Sequence, residues 1–362
     1  MKVLVINTVE FKVNGMSNVI MNYFRYTKEK VQYDFVINDS IIDAFRQELE
    51  CAGCGIFLLK HRNRNPLAYI FRLAGIIRQG NYDIIHIHGN SALMTIDLTA
   101  CRFSGTKAKK IVHAHNTSCT HMTLHKMLYP LFLKSYDYAV ACSRAAGEWL
   151  YGKTPYTVLN NGIQEEKFRF RPQLRIDMRQ EQGISDNQLV LLHVGLFNEQ
   201  KNHAFLIKVF QEIVRRDPDA QLRLVGQGPK MEEIKALTEK LGLQKNITFV
   251  GVTLTPEAEY HMADVFVMPS LYESFGLVTV EAQCSGLPCV LSDTIPKEVC
   301  ITENVSYLSL SLSAGEWADK ILSFRHAERT DQQSAVIAHN YSISREAQKL
   351  VEYYTSILSG KI

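Results

Sequence analysis

The chain has 362 residues, 46% of them hydrophobic and 21% charged, which is a globular composition too long for one ordinary core. Two domains are expected, and fibrous, collagenous and disordered classes are excluded. The longest purely apolar stretches, such as Val3 to Ile6 and Tyr138 to Cys142, fall far short of the roughly 18 residues that a membrane-spanning helix needs.

The N-terminus carries Lys2, a short apolar run, then Glu10 and Lys12, with no small-residue cleavage site. A secretion signal is not expected, and the expected compartment is the cytosol. The eight cysteines then read as reduced thiols. Cys51 and Cys54 form one Cys-x-x-Cys, but without a second pair a zinc ribbon lacks its four ligands. The net charge of +3 conceals an asymmetry: residues 1–165 hold 19 Lys/Arg against 12 Asp/Glu, and residues 166–362 hold 21 against 25. Residues 51–136 contain eleven basic side chains, among them Arg62, Arg64, Lys107, Lys109 and Lys110, and only Asp83 and Asp97 as acids. Such a surface favours an anionic partner: nucleic acid, phospholipid or a phosphorylated substrate.

The opening run Lys2 to Asn7 reads as a strand buried on both faces of a parallel sheet. A loop with Gly15 follows, and from Ser17 apolar residues recur at helical spacing. Further strands are expected at Tyr33 to Ile37, Asp83 to Ile87, Lys110 to Val112, Tyr138 to Cys142 and Thr157 to Leu159, with helical patterns between several of them. After residue 170 a second series begins, with strands at Leu189 to Val194, Gln221 to Val225, Ile247 to Val250, Asp264 to Met268 and Pro288 to Leu291. Helices are expected near 203–216, 229–241, 255–262 and 275–285. The expectation is two doubly wound α/β domains, 1–165 and 166–340, with the polar segment Gln164 to Pro172 as linker. A last helix lies within 341–362, and periodicity leaves open whether it returns to the first domain. Doubly wound sheets bind ligands beyond the carboxyl ends of their strands, so two of them facing each other suit an enzyme joining two substrates.

The segment Asp264 to Pro288 is the richest in chemistry. A strand ends at Met268, Pro269-Ser270 turns the chain, and a helix is expected to begin near Ser274 with that hydroxyl as N-cap. Gly276 permits close approach of a ligand to the N–H groups of Phe275, Gly276 and Leu277. Glu281 follows Glu273 by eight residues, about 10 to 12 Å if the span is helical. That is too far to share a proton or a metal, yet suited to the two ends of an elongated ligand with an anionic middle. Lys201 follows the strand Leu189 to Val194 and the loop from Gly195, where it is placed to meet a phosphate.

Gly195 through Lys201-Asn202, Gly226-Gln-Gly228, Pro269-Ser270, Glu273-Ser-Phe-Gly-Leu-Val-Thr-Val-Glu281 and Gly286-Leu-Pro288 resemble the donor domain of glycosyltransferase family 4, retaining enzymes of GT-B fold. Asn14-Gly15, His113-Ala-His115-Asn116, Ser143 and Asn161-Gly162-Ile163 are similar to that family's acceptor-domain landmarks. Gly286 to Asp293 and Lys297-Glu298 look most like its exopolysaccharide and capsule assembly branch. The resemblance implies that Glu281 binds the nucleotide ribose and Glu273 the transferred sugar. It places the N–H groups around Ser274, Phe275, Gly276 and Leu277 on the sugar or phosphate. Lys201 would neutralise the departing diphosphate, aided by the Gly15 loop, while His115, with Asn116 on the acceptor side, would lie near the reacting sugar.

It further implies a metal-independent, cofactor-free transfer from a nucleotide-diphosphate sugar, with uridine as the expected base, to a lipid-linked or saccharide acceptor. The basic first domain would rest on an anionic inner leaflet without insertion, and no nucleic-acid partner is expected. Two departures from the family pattern stand out: Leu196 occupies the place of the usual arginine after Gly195, and Asn14 replaces a glycine.

His86 and His88, like His113 and His115, are two apart at strand ends, so each pair projects to one face and has zinc-ligand chemistry. No carboxylate lies within three residues of His113 or His115, and no metal is expected. Gly226 to Met231 lacks the third glycine of a dinucleotide fingerprint, which disfavours a nicotinamide enzyme. The rival readings are a non-hydrolysing sugar-nucleotide epimerase of the same architecture and a catalytically impaired two-lobed nucleotide-sugar binder, the latter favoured by Leu196.

Overall fold

A computed structural model covers residues 1–362. The chain divides into two compact units, Met1–Gly162 together with Ile343–Ile362, and Ile163–Ser342. The first unit is built on seven strands: β1 (Lys2–Asn7), β2 (Gln32–Asn38), β3 (Gly55–Leu59), β4 (Ile84–Gly89), β5 (Lys109–Ala114), β6 (Tyr138–Ala141) and β7 (Thr157–Val158). They lie in the order β3-β2-β1-β4-β5-β6-β7, and every neighbouring pair is parallel. The second unit has β8 (Val190–Val194), β9 (Gln221–Val225), β10 (Ile247–Gly251), β11 (Val265–Met268), β12 (Cys289–Ser292) and β13 (Val305–Leu308) in the order β10-β9-β8-β11-β12-β13, again all parallel. Strand order reverses at β1/β4 in one sheet and at β8/β11 in the other. Both are doubly wound sheets, with a crevice for ligands at each switch point.

The continuous apolar runs explain the central strands: Val3, Leu4, Val5 and Ile6, or Val190, Leu191 and Leu192, are buried on both faces of their sheets. On one face of the first sheet, Leu4, Ile6, Ile85, Ile87, Val112 and Ala114 pack against the helices Pro66–Gly80, Thr95–Ser104, Met122–Phe132 and Arg144–Tyr151. The opposite face is covered in part by the helices Gly15–Thr27 and Ile343–Leu358, which pack on each other. The segment 164–172 is not a free linker. It contains the short helix Glu165–Phe168, whose Phe168 is buried in the core of the second unit and whose Glu165 accepts a hydrogen bond from Ser342 Oγ at 2.5 Å.

No helix is long and apolar enough to cross a membrane.

Candidate functional site

In the second unit the ligand edge is formed by the loops after β8 and β11, the two strands at the switch point. The loop Gly195–Asn202 leads into the helix His203–Val214, and the loop Pro269–Gly276 leads into the helix Leu277–Cys284. Backbone hydrogen bonds stitch these loops together. The N–H of Leu271 donates to the Gln200 carbonyl at 2.7 Å, and Gln200 Nε2 donates to the Tyr272 carbonyl at 3.0 Å. From below, Ser292 Oγ and Thr294 Oγ1 donate to the Ser270 carbonyl at 2.6 and 2.7 Å.

This framework brings Lys201 Nζ to 2.7 Å from Glu273 Oε1, with the side chains only 13% and 6% exposed. Gly195 leaves room for the lysine's path: a Cβ there would lie 3.1 Å from both Lys201 Cδ and Cε and 3.2 Å from His193 Nε2, so the lysine would have to shift. Gly226 in turn lets the β9 loop close on Gly195, since its Cβ would stand 2.0 Å from the Gly195 carbonyl oxygen. Beneath the lysine, His193 is buried with Nδ1 at 2.8 Å from the Val267 carbonyl, and burial followed by the neighbouring His203 holds its pKa well below the ordinary range.

The helix after Glu273 begins at Leu277, not near Ser274. Gly276 precedes it in left-handed backbone (φ 92°, ψ 52°), which turns the chain immediately before the helix, so Ser274 does not cap it. Only the stretch 277–281 of the eight-residue spacing is helical, and the separation of 10 to 12 Å expected for a continuous helix does not apply. The Thr279 N–H donates to the Gly276 carbonyl at 2.9 Å, and the N–H groups ahead of it at the helix start present partial positive charge on the side of Glu273.

Glu281, one turn into this helix, is half-buried. Burial is the largest influence on its carboxyl and pushes it up to about 7, opposed by the hydrogen bond from Tyr260 and assisted by Glu257. The Tyr260 hydroxyl donates to Glu281 Oε2 at 2.8 Å, from the fully buried ring of the helix Glu257–Met262. Tyr260 and His193 have no distinguishing sequence signal, because both read as ordinary interior residues of a helix and a strand.

In the first unit, Gly15 opens the helix Gly15–Thr27, and Asn14 is its N-cap, accepting from the Ser17 N–H at 3.0 Å. Asn14 is extended (φ −147°), so it serves through its side chain rather than through left-handed backbone. His86 and His88 on β4 and His113 at the end of β5 project to the face opposite the main helical layer, and His115 follows from the loop. His88 Nδ1 lies 2.8 Å from His115 Nε2, and His86 Nδ1 lies 2.6 Å from the Tyr354 hydroxyl. Burial pushes His86 and His115 down to about 3 and holds His88 and His113 well below the ordinary range, so all four rings are neutral near pH 7.

One nitrogen each of His86, His88 and His113 lies within 4.8 Å of the others. The rings nevertheless stack at 12° to 35°, so their in-plane lone pairs run alongside one another rather than toward one point. His115 has its Nε2 engaged by His88 and its Nδ1 buried without a partner. Its ring therefore turns into this cluster. Asn116 accepts from the Thr117 N–H at 2.7 Å.

Arg62 does not belong to the basic surface. It is buried, paired with Asp97, and shares that carboxylate with the Tyr69 hydroxyl. The exposed basic side chains of this region, such as Arg64, Arg72, Lys107 and Lys126, are interleaved with exposed Leu67, Phe71, Phe103 and Met127. All eight cysteines, Cys51 and Cys54 included, are free thiols. Leu196 is 52% exposed and contributes no charge to the edge where Lys201 stands.

Comparison with known proteins bears on this arrangement. The family model of Glycosyltransferase Family 4 matches residues 13–167, and that of Glycosyl transferases group 1 matches residues 175–341. The chain is 32% identical over 334 residues to the putative glycosyltransferase EpsF of Bacillus subtilis strain 168, across 88% of this chain and 86% of that protein. The chain belongs to glycosyltransferase family 4. This glycosyltransferase is also 28% identical to N-acetyl-alpha-D-glucosaminyl L-malate synthase of Bacillus anthracis, over 62% of this chain and 60% of that one. Its fold matches Alr3699/HepE of Anabaena, solved in complex with UDP, with a TM-score of 0.77, 18% identity, and coverage of 98% of this chain and 100% of the other. A glycosyltransferase from Rickettsia africae matches at a TM-score of 0.79 and 20% identity, covering 99% and 98%. The two doubly wound sheets are the GT-B fold.

Proposed function

We propose that this glycosyltransferase transfers a sugar from a uridine diphosphate donor to a lipid-linked or saccharide acceptor, with retention of anomeric configuration and without a metal, in the assembly of an extracellular or capsular polysaccharide. The observation that carries this reading is the Lys201–Glu273 pair at 2.7 Å on the switch-point edge, next to the helix start at Leu277. A cation, an anion and a row of N–H donors at one edge match a ligand with a diphosphate flanked by hydroxyls. The UDP and UDP-glucose complexes of HepE support the choice of donor.

In this reading the diphosphate displaces Glu273 from Lys201, and the released carboxylate accepts hydrogen bonds from the sugar while Glu281 accepts from the ribose. The bond between the anomeric carbon and the β-phosphate oxygen breaks as the acceptor oxygen bonds to the same face of that carbon. The acceptor proton passes to the departing phosphate, whose charge Lys201 and the N–H groups at Gly276 and Leu277 stabilise. The first unit supplies the acceptor side, with Asn116 and, after rotation out of the histidine cluster, His115. Gly15, the first residue of its helix, leaves that N-terminus open to an anion, since a Cβ at this position would meet nothing within 4 Å.

The basic face with exposed Leu67, Phe71, Phe103 and Met127 supports peripheral attachment to the anionic inner leaflet of the plasma membrane by a cytoplasmic enzyme. A thermal-shift screen of nucleotide sugars, followed by transfer in the presence of a chelator and assignment of the anomeric configuration of the product by NMR, tests the reading. Stabilisation by uridine diphosphate sugars and a retained configuration are expected. A chelator-sensitive reaction, an inverted product, or free epimerised sugar without acceptor contradicts it, and donor binding without any turnover would favour the impaired binder suggested by Leu196.

A further inference from the structure

Glu281 is the one carboxylate of the candidate site without a cation. Its Oε2 accepts from Tyr260 at 2.8 Å, while its Oε1 has no partner within the protein and is not among the buried unpaired atoms. The tyrosine that holds it is fully buried, stacks on Phe266 of β11 and meets Phe168 edge-on. Its ring is thus fixed by the core. Burial, then the adjoining Glu281 carboxylate, keeps its hydroxyl protonated far above neutral pH, so it is a permanent donor. A longer approach of the same hydroxyl to the Val278 carbonyl, at 3.3 Å, is the weaker of its two bonds.

We propose that Tyr260 is a positioning residue for nucleotide recognition: by donating to one oxygen of Glu281 it fixes the carboxylate and leaves the other oxygen as the ionised acceptor of the ribose hydroxyls. The inference rests on the reading of Glu281 as the ribose contact. Two physical points support it. A half-buried carboxylate without a cation reverts to the neutral acid near physiological pH, and the acid form accepts hydrogen bonds poorly. The titratable groups acting on Glu281 are Tyr260, which favours the charged form, and Glu257, which opposes it. Among the elements packed on its helix, Glu165 is held by Ser342, Lys297 lies over the Tyr307 ring, and burial keeps the Cys289 thiol neutral. Tyr260 is the only one of these groups that supplies a hydrogen bond to the carboxylate.

The test is calorimetric titration of the full chain with UDP-glucose from about pH 6 to 8, a unit on each side of the value for Glu281. The diphosphate of this probe is esterified at both ends and holds the same charge over that range, so the titration belongs to the protein. Wild-type affinity should rise with pH through about 7, as the carboxylate forms. In Tyr260→Phe the midpoint should move upward by about one unit, giving a roughly fivefold loss at pH 7 that shrinks as the pH is raised. In Glu281→Gln the pH dependence should vanish. A loss in Tyr260→Phe that is equal at every pH, or no loss at all, overturns the proposal and assigns the tyrosine a packing role. So does a pH dependence that survives in Glu281→Gln. Melting curves confirm that the variants are folded, since the phenyl ring keeps the core contacts. If the wild type binds no UDP-glucose at any pH, the donor reading itself fails, an outcome distinct from bound nucleotide with an unshifted midpoint.

Discussion

Glu273→Gln should separate binding from transfer. Without ligand, Lys201 and Glu273 neutralise each other at 2.7 Å. At an effective dielectric near 20 their attraction is on the order of 6 kcal/mol. Desolvation of the two groups, which are 13% and 6% exposed, takes back much of it, leaving about 1 to 3 kcal/mol that an incoming diphosphate must overcome. A glutamine keeps the shape and a carbonyl oxygen but removes the competing charge. UDP, which has no sugar to lose contact with Glu273, should therefore bind roughly fivefold to a hundredfold more tightly, while sugar transfer falls below detection. Calorimetric titration with UDP provides the binding and a UDP-release assay the transfer. Lys201→Ala is the control, and its affinity should fall by roughly tenfold to a hundredfold with loss of a charge-assisted contact. If Glu273→Gln weakens UDP as much as Lys201→Ala does, the carboxylate organises the phosphate site instead of competing for the lysine, and the exchange fails.

Glu281→Gln should stabilise the protein at neutral pH. The carboxyl is raised from 4.5 to about 7, so the folded state holds the proton more tightly than the unfolded state. That contribution is complete below about pH 4.5 and lost as the pH rises through about 7. Above pH 7 the variant should exceed the wild type by about 1 to 3 kcal/mol in denaturant unfolding, with the gap closing on acidification; a gap independent of pH contradicts this. Asp97→Ala strands the buried Arg62 guanidinium, which otherwise also donates to the Leu93 carbonyl at 2.8 Å, and should cost about 3 to 5 kcal/mol. The double variant Arg62→Met, Asp97→Leu should recover most of that loss, and failure to recover would mean the charge pair is not the cause. Anionic vesicles should co-sediment with the protein at low salt and release it at high salt, and Leu67→Glu with Phe71→Glu should weaken the attachment. Salt-independent or absent binding argues against the membrane contact.

Central strands were legible in the sequence because burial on both faces leaves continuous apolar runs, as in Val3 to Ile6 and Leu189 to Leu192. The strands Gly55–Leu59 and Val305–Leu308 were not. Both lie at sheet edges and are only partly buried: Val305–Leu308 is interrupted by Ser306, and the short apolar run Ile56 to Leu59 cannot be told from a helix segment by periodicity alone. Ser274 had the chemistry of an N-cap, but the left-handed turn at Gly276 placed the helix start three residues later. Arg62 counted as surface charge until its partner, 35 residues away, was known. Tyr260 was invisible for the same reason: its role depends on a carboxylate 21 residues on, and the local pattern shows only a helix core. Gly195, Lys201 and Glu273 stood out in the sequence because they follow strand ends, and the structure brings the lysine and the glutamate to 2.7 Å from each other.

The structure of the protein with bound UDP tests the central claim most directly. The account predicts the β-phosphate within hydrogen-bond reach of Lys201 Nζ and of the N–H groups at Gly276 or Leu277, the ribose hydroxyls on Glu281, and Glu273 released from the lysine. A nucleotide seated elsewhere, or a Lys201–Glu273 pair intact beneath it, would contradict it.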